Sequence, residues 1–216
     1  MNIHKKFTES DLNRIKAAVH EAESKISGEI VPVIVGKSGH YTIVNYKASL
    51  LVASLAFLSI IFFDRYVPTL AVYDPLLIFF IVLVAGALGA GTSYYSGAVR
   101  RMLLTQEHMD NATRQRAENA FLEEEVFNTK HRTGIMIFIS FFEHEVIVMT
   151  DTGINKVVEQ KEWDKIVNNL TAAIRKDKVV EGLEAALKRC GEILLEKGFH
   201  IEADDKNELP DDLRIS

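Results

Sequence analysis

Apolar positions along the chain follow three patterns, and each predicts a different kind of element. Before His40 and after Arg100 they recur at helical or strand intervals among charged residues, and between these flanks lie two unbroken apolar runs, Ala48 to Phe63 and Leu76 to Gly91. In the first flank Leu12, Ile15, Val19, Ala22 and Ile26 trace one face of a helix, and Thr8 with Asp11 three residues on has the spacing of a capping box. Glu29 to Val35, rich in β-branched residues and bounded by Gly28 and Gly36, predicts a strand, in which Pro32 argues for an edge position or a bulge. Beyond the second run, Met102, Met109, Ala112, Ala117, Ala120, Phe121 and Phe127 predict one long helix from about Arg101 to Asn128. Ile135 to Phe142 and Glu145 to Thr150 predict a β-hairpin; Trp163 to Ile174 and Val179 to Leu194 predict two more helices, the last stopped by Gly198.

Strand, helix, strand in that order implies a parallel crossover, with the last strand antiparallel. The fold class expected is therefore α/β, a small mixed β-sheet flanked by helices and interrupted by a two-helix transmembrane hairpin. From Pro75 to Val99 the only ionisable groups are the phenols of Tyr94 and Tyr95, and flanking tyrosines extend the first run toward the roughly 20 residues that cross a bilayer. Two buried core helices of a soluble protein are the alternative, and run length and charged flanks weigh against it. The expected division is residues 1–46 and 100–198 as two parts of one soluble domain, 47–99 as the hairpin, and 199–216 as an acidic, solvated tail. Lys47, Arg100 and Arg101 against the single Arg65 of the connecting loop place both termini in the cytoplasm, by the positive-inside rule, with the chain in the cell inner membrane. The first residues turn directly into an amphipathic pattern, so the first span is expected to act as its own insertion signal.

With 25 basic and 30 acidic residues and a net charge of -5, the chain has no basic surplus to hold nucleic acid. Its single cysteine, Cys190, excludes an intramolecular disulfide and falls at a core spacing with Ala186 and Leu187. No phosphate loop, nucleophile elbow or paired-histidine zinc motif is present. The apolar runs hold no acid or base that could couple ions, which argues against a transporter. Ala85, Gly89, Ser93 and Gly97 form a ladder of small side chains along one helix face. Two partners suit it: the chain's own first span through Ser49, Ala53 and Ala56, or a second copy in a homodimer.

Two places carry candidate chemistry. Asp151-Thr152-Gly153 follows the hairpin at the end of the sheet where Glu29 begins the first strand, and Asp151 with Glu29 could supply oxygen ligands to calcium or magnesium. An Asx turn accounts for the same tripeptide. Glu143, His144 and Glu145 lie at the opposite end, where open α/β sheets commonly bind ligands, but a hairpin turn calls for polar exposed residues in any case.

Several short stretches in combination make the chain resemble the TPM-domain family, in its branch of bacterial membrane proteins. They are Ser27-Gly28-Glu29-Ile30 entering the first strand, Arg132-Thr133-Gly134 entering the second, Asp151, Gly153 and Ile154 after the hairpin, Trp163, and Gly182-Leu183. The resemblance implies an α/β sandwich. It also implies either an assembly or accessory role in membranes or a divalent-metal-dependent, phosphatase-like activity, as attributed to different members. The loops lack a dense aspartate cluster, so the expected function is a membrane-anchored interaction or accessory module, with the lipid bilayer and other membrane proteins as partners. A weak metal-dependent phosphatase using Asp151 and Glu29 is the alternative.

Overall fold

The computed structural model describes residues 6–201 and 207–215. The chain divides into two compact units, an α/β unit that runs to Gly39 and resumes at Asp110, and an inserted helical unit, His40–Met109.

The α/β unit opens with α1 (Glu9–Glu23), held at its start by the capping box: Thr8 Oγ1 accepts from the Asp11 N–H at 3.2 Å, and the Asp11 carboxylate accepts from the Thr8 N–H at 2.9 Å. Next comes β1 (Ile30–Val35); after the insertion the unit contains α5 (Gln106–Glu123), β2 (Ile135–Ser140), β3 (Glu145–Thr150), the single turn α6 (Thr152–Asn155), α7 (Gln160–Arg175), α8 (Val179–Glu196) and β4 (Arg214–Ile215). β1 runs parallel to β2, with Ile30 opposite Ile135 and Val35 opposite Ser140, and β3 is antiparallel to β2. The strand order is β3-β2-β1-β4.

Both faces of this sheet are covered, so β1 and β2 are buried throughout, as strands inside a layered α/β fold must be. Ile30, Ile34, Ile135, Ile137 and Ile139 point into a core shared with α1, α7 and α8. The alternate positions Val31, Val33, Val35, Met136 and Phe138 pack with Ala117 and Ala120 of α5 and with Val126. Gly134 enters β2 so close to the loop after α5 that a Cβ there would run into the Val126 carbonyl.

Three features differ from the sequence expectation. The helix predicted from Arg101 to Asn128 is two helices, because Leu104 is extended and the Thr105 carbonyl accepts from the His108 and Met109 N–H groups, starting α5 afresh. The strand with Pro32 is not an edge strand, yet β4 pairs only with Val33 and Ile34, so Pro32 stands outside that short ladder. The stretch 207–215, read as part of a solvated tail, is docked on the α/β unit; residues 202–206 of that tail lie outside the described residues. Its carboxylates have partners: Asp212 with Lys16 at 2.9 Å, Asp211 with His20 at 3.1 Å, and Glu208 with the Lys130 N–H at 2.9 Å. Arg214 pairs with Glu124 at 2.7 Å, while Leu209, Leu213 and Ile215 pack against the two cores. Covering the β1 edge removes an open row of backbone donors and acceptors.

The inserted unit contains α2 (Ile43–Tyr66), a 3-10 turn (Pro68–Leu70), α3 (Pro75–Tyr95) and α4 (Gly97–Leu103). Asp74 caps α3 by accepting from the Leu76 N–H at 2.8 Å, and Pro75 occupies the first helical position, where a missing N–H costs nothing. α2 and α3 are antiparallel neighbours. Gly89 lets them close, since a Cβ there would lie 2.6 Å from the Ala48 carbonyl and 2.9 Å from Val52. Gly86 faces Ser49 and Ala53, and buried Ser93 donates to Asn45 Oδ1 at 2.8 Å. Two rungs of the small-residue ladder, Gly89 and Ser93, are thus taken up by α2. Both α2 and α3 are long and apolar enough to cross a membrane.

Candidate functional site

At the end of the sheet where β1 begins, each carboxylate singled out in the sequence is engaged by its own neighbours. The Asp151 carboxylate caps α6 by accepting from the Thr152 N–H at 2.6 Å, and its other oxygen lies 2.8 Å from Arg132 Nε. Glu29 accepts from the Glu208 N–H at 3.0 Å and the Leu209 N–H at 3.4 Å, so it ties down the final stretch of the chain. Burial holds its carboxyl above the ordinary range, with those two N–H groups opposing the shift. The backbones of Glu29 and Asp151 flank β2, one bonded to Ile135 and the other to Gly134, and two strand spacings amount to about 10 Å. The structure joins Asp151 to Arg132 and Glu29 to the 208–209 backbone, and does not join the two carboxylates to each other.

Glu29 has closer acidic neighbours that sequence reasoning missed. Glu23, at the last turn of α1, accepts from the Ile30 N–H at 2.7 Å through Oε1, while Oε2 is buried and meets no donor among the described residues. Burial pushes the Glu23 carboxyl up to about 8, the Ile30 N–H pulls the other way, and the charges of Glu29 and Asp211 add to the rise. At neutral pH it is therefore mostly the neutral acid. His20, Glu23 and Glu29 line a cavity of about 150 Å³ together with Ile26, Gly28 and Asn207. The available signal was positional: Glu23 lies four residues after Val19, on the flank of the apolar stripe of α1, where a carboxyl is drawn into the interior.

The opposite end of the sheet holds a second polar cluster. Glu143 was expected in an exposed turn but is 3% exposed, its carboxylate accepting from the Ser38 N–H at 3.0 Å and, through a short bond, from the Ser140 hydroxyl. Ser38 in turn donates to Ser140 Oγ at 2.8 Å. Only His144, at φ 58°, remains exposed at the tip. Glu145 is pushed up to about 7, chiefly by burial and then by its hydrogen bond with Asp110, with Thr113 acting in the opposite sense. The hydrogen bond between Asp110 and Glu145 links the start of α5 to β3. Ser140 and Glu143 have the polarity of a nucleophile and its base, but their burial closes them to a substrate, and what they do is fix the turn to the end of β1. Among the described residues no group of three or more His, Cys, Asp or Glu is disposed to hold a metal ion.

No curated protein matches the chain. A solved structure, the NMR structure of BA42 protein from the psychrophilic bacterium Bizionia argentinensis, is similar with a TM-score of 0.59 at 18% identity, covering 97% of this chain and 95% of that one. At that identity the likeness shows the α/β fold alone. A family model described as the TPM domain matches residues 96–193, from the residue before α4 to near the end of α8. The region that supplies α5, the β2–β3 hairpin and the α7–α8 pair is therefore similar to a TPM domain.

Proposed function

We propose that the protein is a membrane-anchored, TPM-like module whose α/β unit faces the cytoplasm and serves an interaction or accessory role. One observation carries the anchoring: α2 and α3 expose most of their large apolar side chains, with Leu50 at 70%, Leu58 at 59% and Leu76 at 69%. A soluble monomer rarely presents an apolar surface of such extent. At 1.5 Å per residue their 24 and 21 residues span about 36 and 32 Å, against a hydrocarbon core of about 30 Å. Two crossings return the chain to the side it left, as a domain interrupted after β1 requires. Lys47, Arg100 and Arg101 favour the cytoplasm as that side.

Cysteine accessibility in intact cells tests the topology, since native Cys190 is buried and silent. Thr69→Cys in the connecting loop should react with a membrane-impermeant maleimide from outside, and Lys161→Cys on α7 only after permeabilisation. Labelling of Lys161→Cys in intact cells would overturn the orientation. The accessory role is tested by turnover of para-nitrophenyl phosphate with calcium or magnesium: none is expected. Metal-dependent turnover abolished in Asp151→Ala would replace the accessory reading with a phosphatase in which Asp151 and Glu29 hold the metal.

A further inference from the structure

α4 follows α3 and leads into α5. Ser96, in an extended conformation, ends α3 and caps α4 by accepting from the Val99 N–H, and α4 packs beside both α2 and α3. Its surroundings combine exposed apolar and aromatic groups with positive charge. Met102 and Tyr95 are each 87% exposed, and Arg100 and Arg101 lie between them in sequence. The antiparallel pairing that joins Asn45 to Ser93 brings Lys47, exposed on α2, to this same end of the helix pair. No Asp or Glu occurs between Lys37 and Phe63 or between Pro75 and Gln106, so α2, α3 and α4 contribute basic side chains and no acidic ones at this end. The far end carries Asp64 and Asp74 with Arg65. The Arg100 guanidinium donates to the Tyr94 carbonyl at 3.1 Å, and its Nε–H is buried with no acceptor among the described residues.

We propose that α4 and the start of α2 form an interfacial site for anionic phospholipid headgroups, held through Lys47, Arg100 and Arg101, with Tyr95 and Met102 seated at the acyl boundary. The inference rests on the membrane-anchored reading and deepens it. Charge complementarity selects the occupant: a short helix with guanidinium groups beside apolar side chains matches the boundary between phosphate and hydrocarbon, where tyrosine is also favoured. Continuity does the same, because the patch prolongs the apolar surface of α2 and α3.

The test uses the full chain carrying Tyr95→Trp, reconstituted in vesicles of phosphatidylcholine and phosphatidylglycerol in which one or the other lipid is brominated. Trp163, buried in the α/β core, supplies an unquenched reference. Brominated phosphatidylglycerol should quench the reporter more than its mole fraction predicts, with an enrichment of about five-fold, the ratio that one Lys or Arg near an anionic surface provides. Lys47→Gln with Arg100→Gln and Arg101→Gln should make the two lipids equal quenchers. One molar salt, which shortens the Debye length to about 3 Å, should reduce the preference of the parent chain without any substitution at those positions. Equal quenching in the parent chain overturns the headgroup site while leaving the anchor intact. No quenching by either lipid overturns the anchor as well. A preference that survives both the triple substitution and high salt overturns the assignment to these three residues.

Discussion

The two units bury the same kinds of side chain by different means. In the α/β unit, isoleucines, valines and Phe138 of β1 and β2 are enclosed between helices, so water is excluded by protein on both faces of the sheet. In the helical unit, leucines and phenylalanines of α2 and α3 point outward, and the contact between the helices is made by Gly86, Gly89 and Ser93. Large apolar groups therefore organise the first unit and small ones the second. Under the proposed membrane anchoring the difference follows from the solvent: where the surroundings are as apolar as leucine, burial contributes nothing to helix pairing, and close approach with a hydrogen bond such as Ser93 to Asn45 takes its place.

The sharpest way to break this comparison is to remove a large side chain from each unit. Phe138→Ala should cost about 3–5 kcal/mol in denaturant melts of the α/β unit, whereas Leu58→Ala on the exposed face of α2 should change stability by less than about 0.5 kcal/mol in bicelles. Equal losses at the two positions would mean that Leu58 packs against protein.

Proton linkage in the α/β unit comes next. Glu23 moves from 4.5 to about 8 on folding, so between those values the folded state binds more protons than the unfolded one. The stability this contributes is complete below about pH 4.5 and is lost as pH rises through 8, on the order of 5 kcal/mol. Glu29 and Glu145 are shifted in the same direction and add to the slope. Melts from pH 5 to 9 should show the decline, Glu23→Gln should flatten it, and an unchanged slope in that variant would remove Glu23 as its source.

Within the helical unit, Gly89→Val should separate α2 from α3 at a cost of about 1–3 kcal/mol, measured by steric trapping in bicelles, because the added carbon overlaps the Ala48 carbonyl. The smallest effect should belong to Ser93→Ala. Under the proposed anchoring, losing the bond to Asn45 should cost about 0.6 kcal/mol, the usual size for hydrogen bonds between helices in a membrane.

Local pattern alone made much of this molecule legible. The capping box of α1, the stripes of α7 and α8, the two apolar runs, and the parallel pairing of β1 with β2 all follow from residue spacing, because each depends on a helix period, a strand period or a short connection. The break at Leu104 did not show, since apolar positions keep a helical period across it and Thr105 reads as an ordinary helix residue. Nor did β4, whose acidic neighbours gave the end of the chain the composition of a solvated segment.

The candidate sites divide along the same line. Sequence placed Glu29 and Asp151 at one end of the sheet and the Glu143 to Glu145 turn at the other. Only the tertiary structure decided what each carboxylate meets: Arg132 for Asp151, the 208–209 backbone for Glu29, Ser38 and Ser140 for Glu143, and Asp110 for Glu145. It also decided that Glu23 is half-buried with its Oε2 enclosed. The element types, their order and the two membrane-length runs were determined by the sequence itself, because hydrophobic periodicity and run length are local properties. Partners far apart along the chain, and the solvation each side chain loses on meeting them, exist only once the chain has folded.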